Sequence, residues 1–68
     1  MTVSITVNGD PAEVEPGSTL AALLDRLGIE PRRVVVEHNR LVLRAGDYED
    51  ALLDAGDEIE IVHLVGGG

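Results

Sequence analysis

The sequence predicts an α+β fold in which one amphipathic helix packs across a mixed β-sheet, and three observations carry that expectation. Thr2-Val3-Ser4-Ile5-Thr6-Val7 and Glu58-Ile59-Glu60-Ile61 alternate polar and apolar residues with the period of two of half-buried strands. Leu20, Leu23, Leu24 and Leu27 recur at i, i+3, i+4 and i+7, which lines four leucines along one helical stripe. Asn8-Gly9 directly follows the first alternating run, and two residues tolerant of positive φ at that place are the strongest short signal for a hairpin.

Taken in order, residues 1–15 read as a β-hairpin with Val3, Ile5 and Val7 facing the core. Its return strand runs through Ala12-Glu13-Val14-Glu15. Pro16-Gly17 breaks that strand, and Ser18 or Thr19 can accept the orphan N–H groups of a new helix as its N-cap. The helix is expected to run about three turns, to be closed by Gly28 in a left-handed conformation, and to be kept from continuing by Ile29-Glu30-Pro31. Val34-Val35-Val36-Glu37-His38 and Leu41-Val42-Leu43, separated by Asn39-Arg40, form a second hairpin with a brief outer strand. Gly46 through Leu53 suits a single helical turn or loop, with Tyr48 and one of the leucines folded inward. Ala55-Gly56-Asp57 makes a turn, and Glu58 through Val65 is the last ordered element, with Ile59 and Ile61 inward.

The order is therefore β-β-α-β-β-β, with a short turn before the final strand. One helix covers one face, so the economical arrangement is a mixed sheet whose last strand lies centrally beside the first and parallel to it. This is the β-grasp, or ubiquitin-like, architecture. A small SH3-like or OB-type barrel needs more strand and has no place for a helix after the first hairpin. Residues 1–65 form the expected domain, and residues 66–68 a flexible glycine tail.

At 68 residues there is room for one core, and area scaling leaves a chain of this size burying only about 60% of its unfolded surface. A private active-site cavity in addition to that core is not expected. The absence of cysteine excludes disulfides, zinc knuckles and thiol chemistry. No apolar run approaches the roughly 20 residues of a membrane span, so the expectation is a cytoplasmic protein with no membrane partner. Thirteen acidic and five basic residues give a net charge of −8, which disfavours nucleic acid and suggests a basic protein partner. With 44% hydrophobic residues the acidity does not signal disorder.

No side-chain constellation looks catalytic. His38 and His63 sit on different strands without metal-ligand spacing, and read as surface or edge histidines; no metal site is expected. Acidic pairs such as Asp47 with Glu49, or Asp57 with Glu58, read as solvated turns. What remains is the end of the sequence: Gly66-Gly67-Gly68 directly after a strand forms a tail without Cβ atoms, thin enough to thread a narrow cleft and to present the carboxylate of Gly68. A carboxylate is a poor electrophile, so its use requires activation by a partner, for example as an acyl-adenylate.

These features resemble the ThiS family, the bacterial sulfur carriers of thiamine thiazole biosynthesis. The resemblance covers the whole chain. It rests on the Val36-Glu37-His38-Asn39 turn, on Ala55-Gly56-Asp57, and above all on Ile59 through Gly68. It implies a protein cosubstrate and not an enzyme. An E1-like (ThiF-like) adenylyltransferase would adenylate the Gly68 carboxylate with ATP and Mg²⁺, a persulfide sulfur from a donor such as a cysteine desulfurase would displace AMP to leave a thiocarboxylate, and a ThiG-like thiazole synthase would take the sulfur. No cofactor is expected on the chain itself, which should be a monomer when free. Alternatives are a related carrier for molybdopterin or cysteine synthesis, or a non-reactive ubiquitin-like binding module.

With Ile59 and Ile61 inward, Val62 and Leu64 project outward beside the tail. Together with Val65, Gly66 and Gly67 they are the expected partner-binding residues, and Gly68 is the expected reactive one.

Overall fold

In the computed structural model, which describes residues 1–65, β1 (Val3–Val7) and β2 (Asp10–Val14) precede helix α1 (Leu20–Arg26). Then come β3 (Val34–His38), β4 (Leu41–Leu43) and β5 (Glu58–His63). The strands form one sheet in the order β2-β1-β5-β3-β4, so the last strand is the central one. It runs parallel to β1, through Thr6↔Glu58 and Val7↔Ile59, and antiparallel to β3 along Val34↔His63 to His38↔Ile59. This is the β-grasp topology expected from the sequence.

Each hairpin closes on two residues of positive φ, the geometry that follows the natural twist of antiparallel strands. Asn8 and Gly9, at φ 51° and 84°, join Val7 to Asp10. Asn39 and Arg40, at φ 51° and 73°, join His38 to Leu41. The two asparagines also brace β5. Asn8 Oδ1 accepts from the Ile61 N–H at 2.7 Å, and Asn39 Oδ1 accepts from the Glu58 N–H at 2.8 Å.

Of the two candidate caps for α1, Thr19 is the one used: its Oγ1 accepts from the Ala22 N–H at 3.1 Å. The other early N–H groups find partners in the segment before β5, Leu20 donating to the Ala51 carbonyl and Ala21 to that of Tyr48. That satisfies donors a helix start leaves orphaned. At the other end Gly28, at φ 71°, donates to Asp25 O at 3.1 Å while Ile29 donates to Leu24 O at 2.9 Å. This paired bond pattern ends the helix early.

Seven residues make about two turns, not the three expected. Leu27 is consequently the C-cap and 45% exposed, whereas Leu20, Leu23 and Leu24 are buried. Beyond the helix stop expected at Ile29-Glu30-Pro31, Pro31–Arg33 forms a 3₁₀ turn.

The core joins those three leucines to Ile5 and Val14 of the first hairpin, Val34 and Val36 of β3, and Ile59 and Ile61 of β5. Tyr48 and Leu53 complete it from the connecting segment, where a 3₁₀ turn spans Ala45–Asp47. Of the two leucines in that segment, Leu53 is inward and Leu52 is exposed. The buried Tyr48 hydroxyl donates to Val34 O at 3.0 Å, which satisfies the one polar atom that the ring carries into the core.

β5 ends at His63, two residues before the expected boundary, because its partner β3 begins at Val34, opposite His63. Gly66, Gly67 and Gly68 lie outside the described residues.

Arg40 occupies a left-handed conformation that crowds its Cβ against the carbonyl oxygen, a penalty glycine avoids. Arg40→Gly is expected to stabilise the fold by about 0.5–1 kcal/mol after the greater freedom of glycine in the unfolded chain is counted, read as a raised urea midpoint at unchanged slope.

Candidate functional site

The antiparallel pairing of β3 with both β4 and β5 brings three chain segments to one end of the sheet. The Pro31–Arg33 turn leads into β3 there, Arg44 leaves β4, and Leu64 leaves β5. The Leu64 N–H donates to Arg33 O at 2.8 Å, a backbone bond that continues the pinning of the chain one residue past the strand. The point from which Val65 and the glycines emerge is therefore fixed by the rigid part of the molecule.

Alternation along β5 places Ile59 and Ile61 in the core and turns Glu58, Glu60 and Val62 to the opposite face. Val62 and Leu64 are 52% and 57% exposed and Val65 is fully exposed, as the sequence implied. Val62 pairs with the half-buried Val35 on β3, which sets two apolar residues side by side on this face close to the tail; the exposed Val42 on β4 lies opposite Glu37, further from it. The sequence reading did not single out Val35 or Val42. Their orientation follows from strand register, which the sequence alone does not supply. A shallow hollow of about 380 Å³ lies beside Leu64, with Arg32 and Arg44 in its lining.

His38 is more than an edge histidine. It stands near the start of β5, opposite the tail, where its Nε2 lies 2.7 Å from Asp57 Oδ2. The other Asp57 oxygen accepts from Asn39 Nδ2 at 3.0 Å, and Oδ2 also accepts from the Asp54 N–H at 2.8 Å. Burial pushes the Asp57 carboxyl up, but the bonds from Asp54, His38 and Asn39 outweigh it and hold the group below the usual carboxylate range. This network ties the β3–β4 turn to the start of β5. It contains no hydroxyl or thiol nucleophile, and His38 also borders an open hollow lined by Leu41, Val42, Leu43, Asp47, Asp50 and Ala51; the bonds of the network hold the sheet's centre. His63 is exposed at the far end of the same strand. Among the described residues no three His, Asp or Glu side chains gather as a metal would require, and no helix is long and apolar enough to cross a membrane.

A five-stranded mixed sheet clasping one helix, with the last strand at its centre, defines a ubiquitin-like fold. The family model that matches is described as the ThiS family, and it matches residues 5–68. The chain belongs to the ThiS family.

It is 44% identical over 66 residues to a thiazole synthase of Magnetococcus marinus, an alignment that takes in 97% of this chain and 20% of that protein. The sulfur carrier protein ThiS of Thermus thermophilus is 34% identical over 64 residues, covering 94% of this chain and 98% of the relative. The crystal structure of a thiamine biosynthesis protein (ThiS) from Geobacter metallireducens superposes with a TM-score of 0.83 at 30% identity, over 97% of this chain and 100% of that one. The chain spans about a fifth of the length of the thiazole synthases it matches.

The Asp57 network carries a pH signature. Because the folded-state carboxyl lies below its unfolded value of about 3.9, its contribution is fully present above that value and is lost as pH falls through the folded one. Asp57→Asn is expected to cost roughly 1–3 kcal/mol at pH 7, since it removes the charge from a set of charge-assisted bonds. Urea midpoints measured from pH 7 down to pH 3 should show the gap between wild type and variant closing at the acid end; a gap independent of pH would contradict this assignment.

Proposed function

We propose that this chain is a sulfur carrier for thiamine thiazole formation, working as a protein cosubstrate whose reactive atom is the C-terminal carboxylate of Gly68. The observation that carries the reading is the family match, which runs from β1 through the three glycines. A carboxylate oxygen attacks the α-phosphate of ATP in the active site of an E1-like, ThiF-like adenylyltransferase, which also supplies Mg²⁺, and pyrophosphate leaves. The terminal sulfur of a persulfide, from a donor such as a cysteine desulfurase, then displaces AMP from the acyl carbon. Cleavage of the resulting S–S bond by a thiol leaves the thiocarboxylate, and a ThiG-like thiazole synthase accepts its sulfur.

The physics of the chain suits that division of labour. A domain of 68 residues spends its buried apolar side chains on one core, and the apolar side chains left over lie exposed on the surface and enclose no room for ATP. Activation therefore belongs to a partner, and the carrier's task is to present its end in a defined place. The Leu64–Arg33 backbone bond fixes the root, and Gly66 and Gly67 carry no side chain that would obstruct a narrow cleft. Val62, Leu64 and Val65 offer apolar area beside the tail, the kind of surface that forms the centre of an interface. The relatives that carry the name thiazole synthase favour the thiazole branch over carriers for molybdopterin or cysteine.

Deleting Gly68, or extending the chain by one residue beyond it, is expected to abolish ATP–pyrophosphate exchange catalysed by the cognate ThiF-like enzyme while leaving the thermal midpoint unchanged. Exchange at the wild-type rate by either variant would overturn the role of Gly68 and favour a binding module. Val62→Ser with Leu64→Ser is expected to raise the KM for the carrier several-fold with little change in kcat.

A further inference from the structure

We propose that Arg32 and Arg44 form a cationic socket at the root of the tail that receives an acidic, partly apolar surface segment of the enzyme whose cleft takes the tail. The inference rests on the carrier reading above and adds the chemistry of the partner's surface.

The chain carries only five basic residues against thirteen acidic ones, all of them arginine, yet three of the five, Arg32, Arg33 and Arg44, stand in the segments that converge on Leu64. The hollow beside Leu64 includes Arg32 and Arg44 and no carboxylate residue in its lining; Pro31, Val35, Ala45 and Leu64 give it an apolar floor. Among the described residues neither Arg32 nor Arg44 makes a salt bridge or a side-chain hydrogen bond with another residue. Two acids stand close in sequence. Glu30 precedes the 3₁₀ turn, and Asp47 turns one oxygen to the Arg44 N–H at 3.1 Å, which occupies that carboxylate with the backbone. Two guanidiniums flanking an apolar floor match a segment that offers carboxylates on either side of an apolar residue, because the planar guanidinium fork pairs with carboxylates in a bidentate manner.

Position argues for a protein occupant. Gly68 lies four residues beyond Leu64, so its Cα is at most roughly 14 Å from the Leu64 Cα. An enzyme that closes on the Gly68 carboxylate therefore comes within reach of the socket. The net charge of −8 led the sequence reading to a basic partner. At contact range the sign is set locally, since charges more than about 8 Å away are largely screened at physiological ionic strength. At the tail root three arginines, Arg32, Arg33 and Arg44, outnumber the two acids, Glu30 and Asp47.

The two expectations predict opposite results. Arg32→Ala with Arg44→Ala makes the chain more acidic, so a partner that reads overall charge would bind it better, whereas a partner that fills the socket would bind it worse. The KM for the carrier in ATP–pyrophosphate exchange with the cognate ThiF-like adenylyltransferase is expected to rise about fivefold to tenfold, with kcat unchanged. Arg32→Lys with Arg44→Lys should regain only part of the loss, since an ammonium keeps the charge but not the bidentate fork, and Arg40→Ala, which removes an arginine far from the tail, should leave KM unchanged. Thermal midpoints of all variants check that the fold is intact. A KM for the double alanine variant equal to or below wild type overturns the socket, and so does a lysine variant as weak as the alanine one. Failure of the carrier reading looks different: the wild-type chain itself would give no exchange.

Discussion

β5 is paired on both sides, in parallel with β1 and in antiparallel with β3, and this double pairing makes the end of the chain the centre of the sheet. A terminal strand at a sheet edge would fray, and whatever followed it would wander. Here every neighbouring element contributes to the clamp. The asparagines of both hairpin turns bond to β5 backbone groups, Asp57 anchors its start, and the core isoleucines of the strand lie beneath α1. The last bond of the series, Leu64 to Arg33, carries that rigidity to the residue from which the tail departs.

A fixed root and a side-chain-free tail divide the functional problem in two. In the proposed carrier role, the folded part supplies position and a recognition surface, and the glycines supply reach. Neither half needs a pocket, which agrees with a domain whose buried side chains all serve one core. In that proposed role, catalytic power comes from the proteins that receive the tail. Relatives of very different length fit this division: in the thiazole synthases the matching region is about a fifth of the protein, while the Thermus thermophilus carrier is matched almost end to end. The ThiS unit is thus found within larger proteins as well as at the size seen here.

Much of this was legible in the residues. Alternation located β1 and β5, Asn8-Gly9 gave the first turn, and the leucine stripe with Gly28 gave the helix, because each reflects a local rule of backbone geometry. The length of α1 was overestimated since Leu27 fits the stripe by spacing, yet the paired bonds from Gly28 and Ile29 close the helix before it can turn inward. The His38–Asp57–Asn39 network was missed for a different reason. Those residues are 18 and 19 positions apart and meet only because β3 lies against β5, a pairing no local pattern announces. The arginine cluster escaped notice similarly: Arg32-Arg33 was visible as a pair, but only the sheet brings Arg44 and Leu64 to the same end. The tail was conspicuous from composition alone, and its chemistry came from family resemblance.

In the proposed function, everything turns on conversion of the Gly68 carboxylate to a thiocarboxylate. The most direct test is the intact mass of the chain after incubation with the cognate ThiF-like enzyme, ATP, Mg²⁺ and a persulfide donor. The account predicts a gain equal to the exchange of one oxygen for one sulfur, localised to the C-terminal fragment and absent when Gly68 is deleted. An unchanged mass, with an enzyme proven to adenylate this chain, would contradict it.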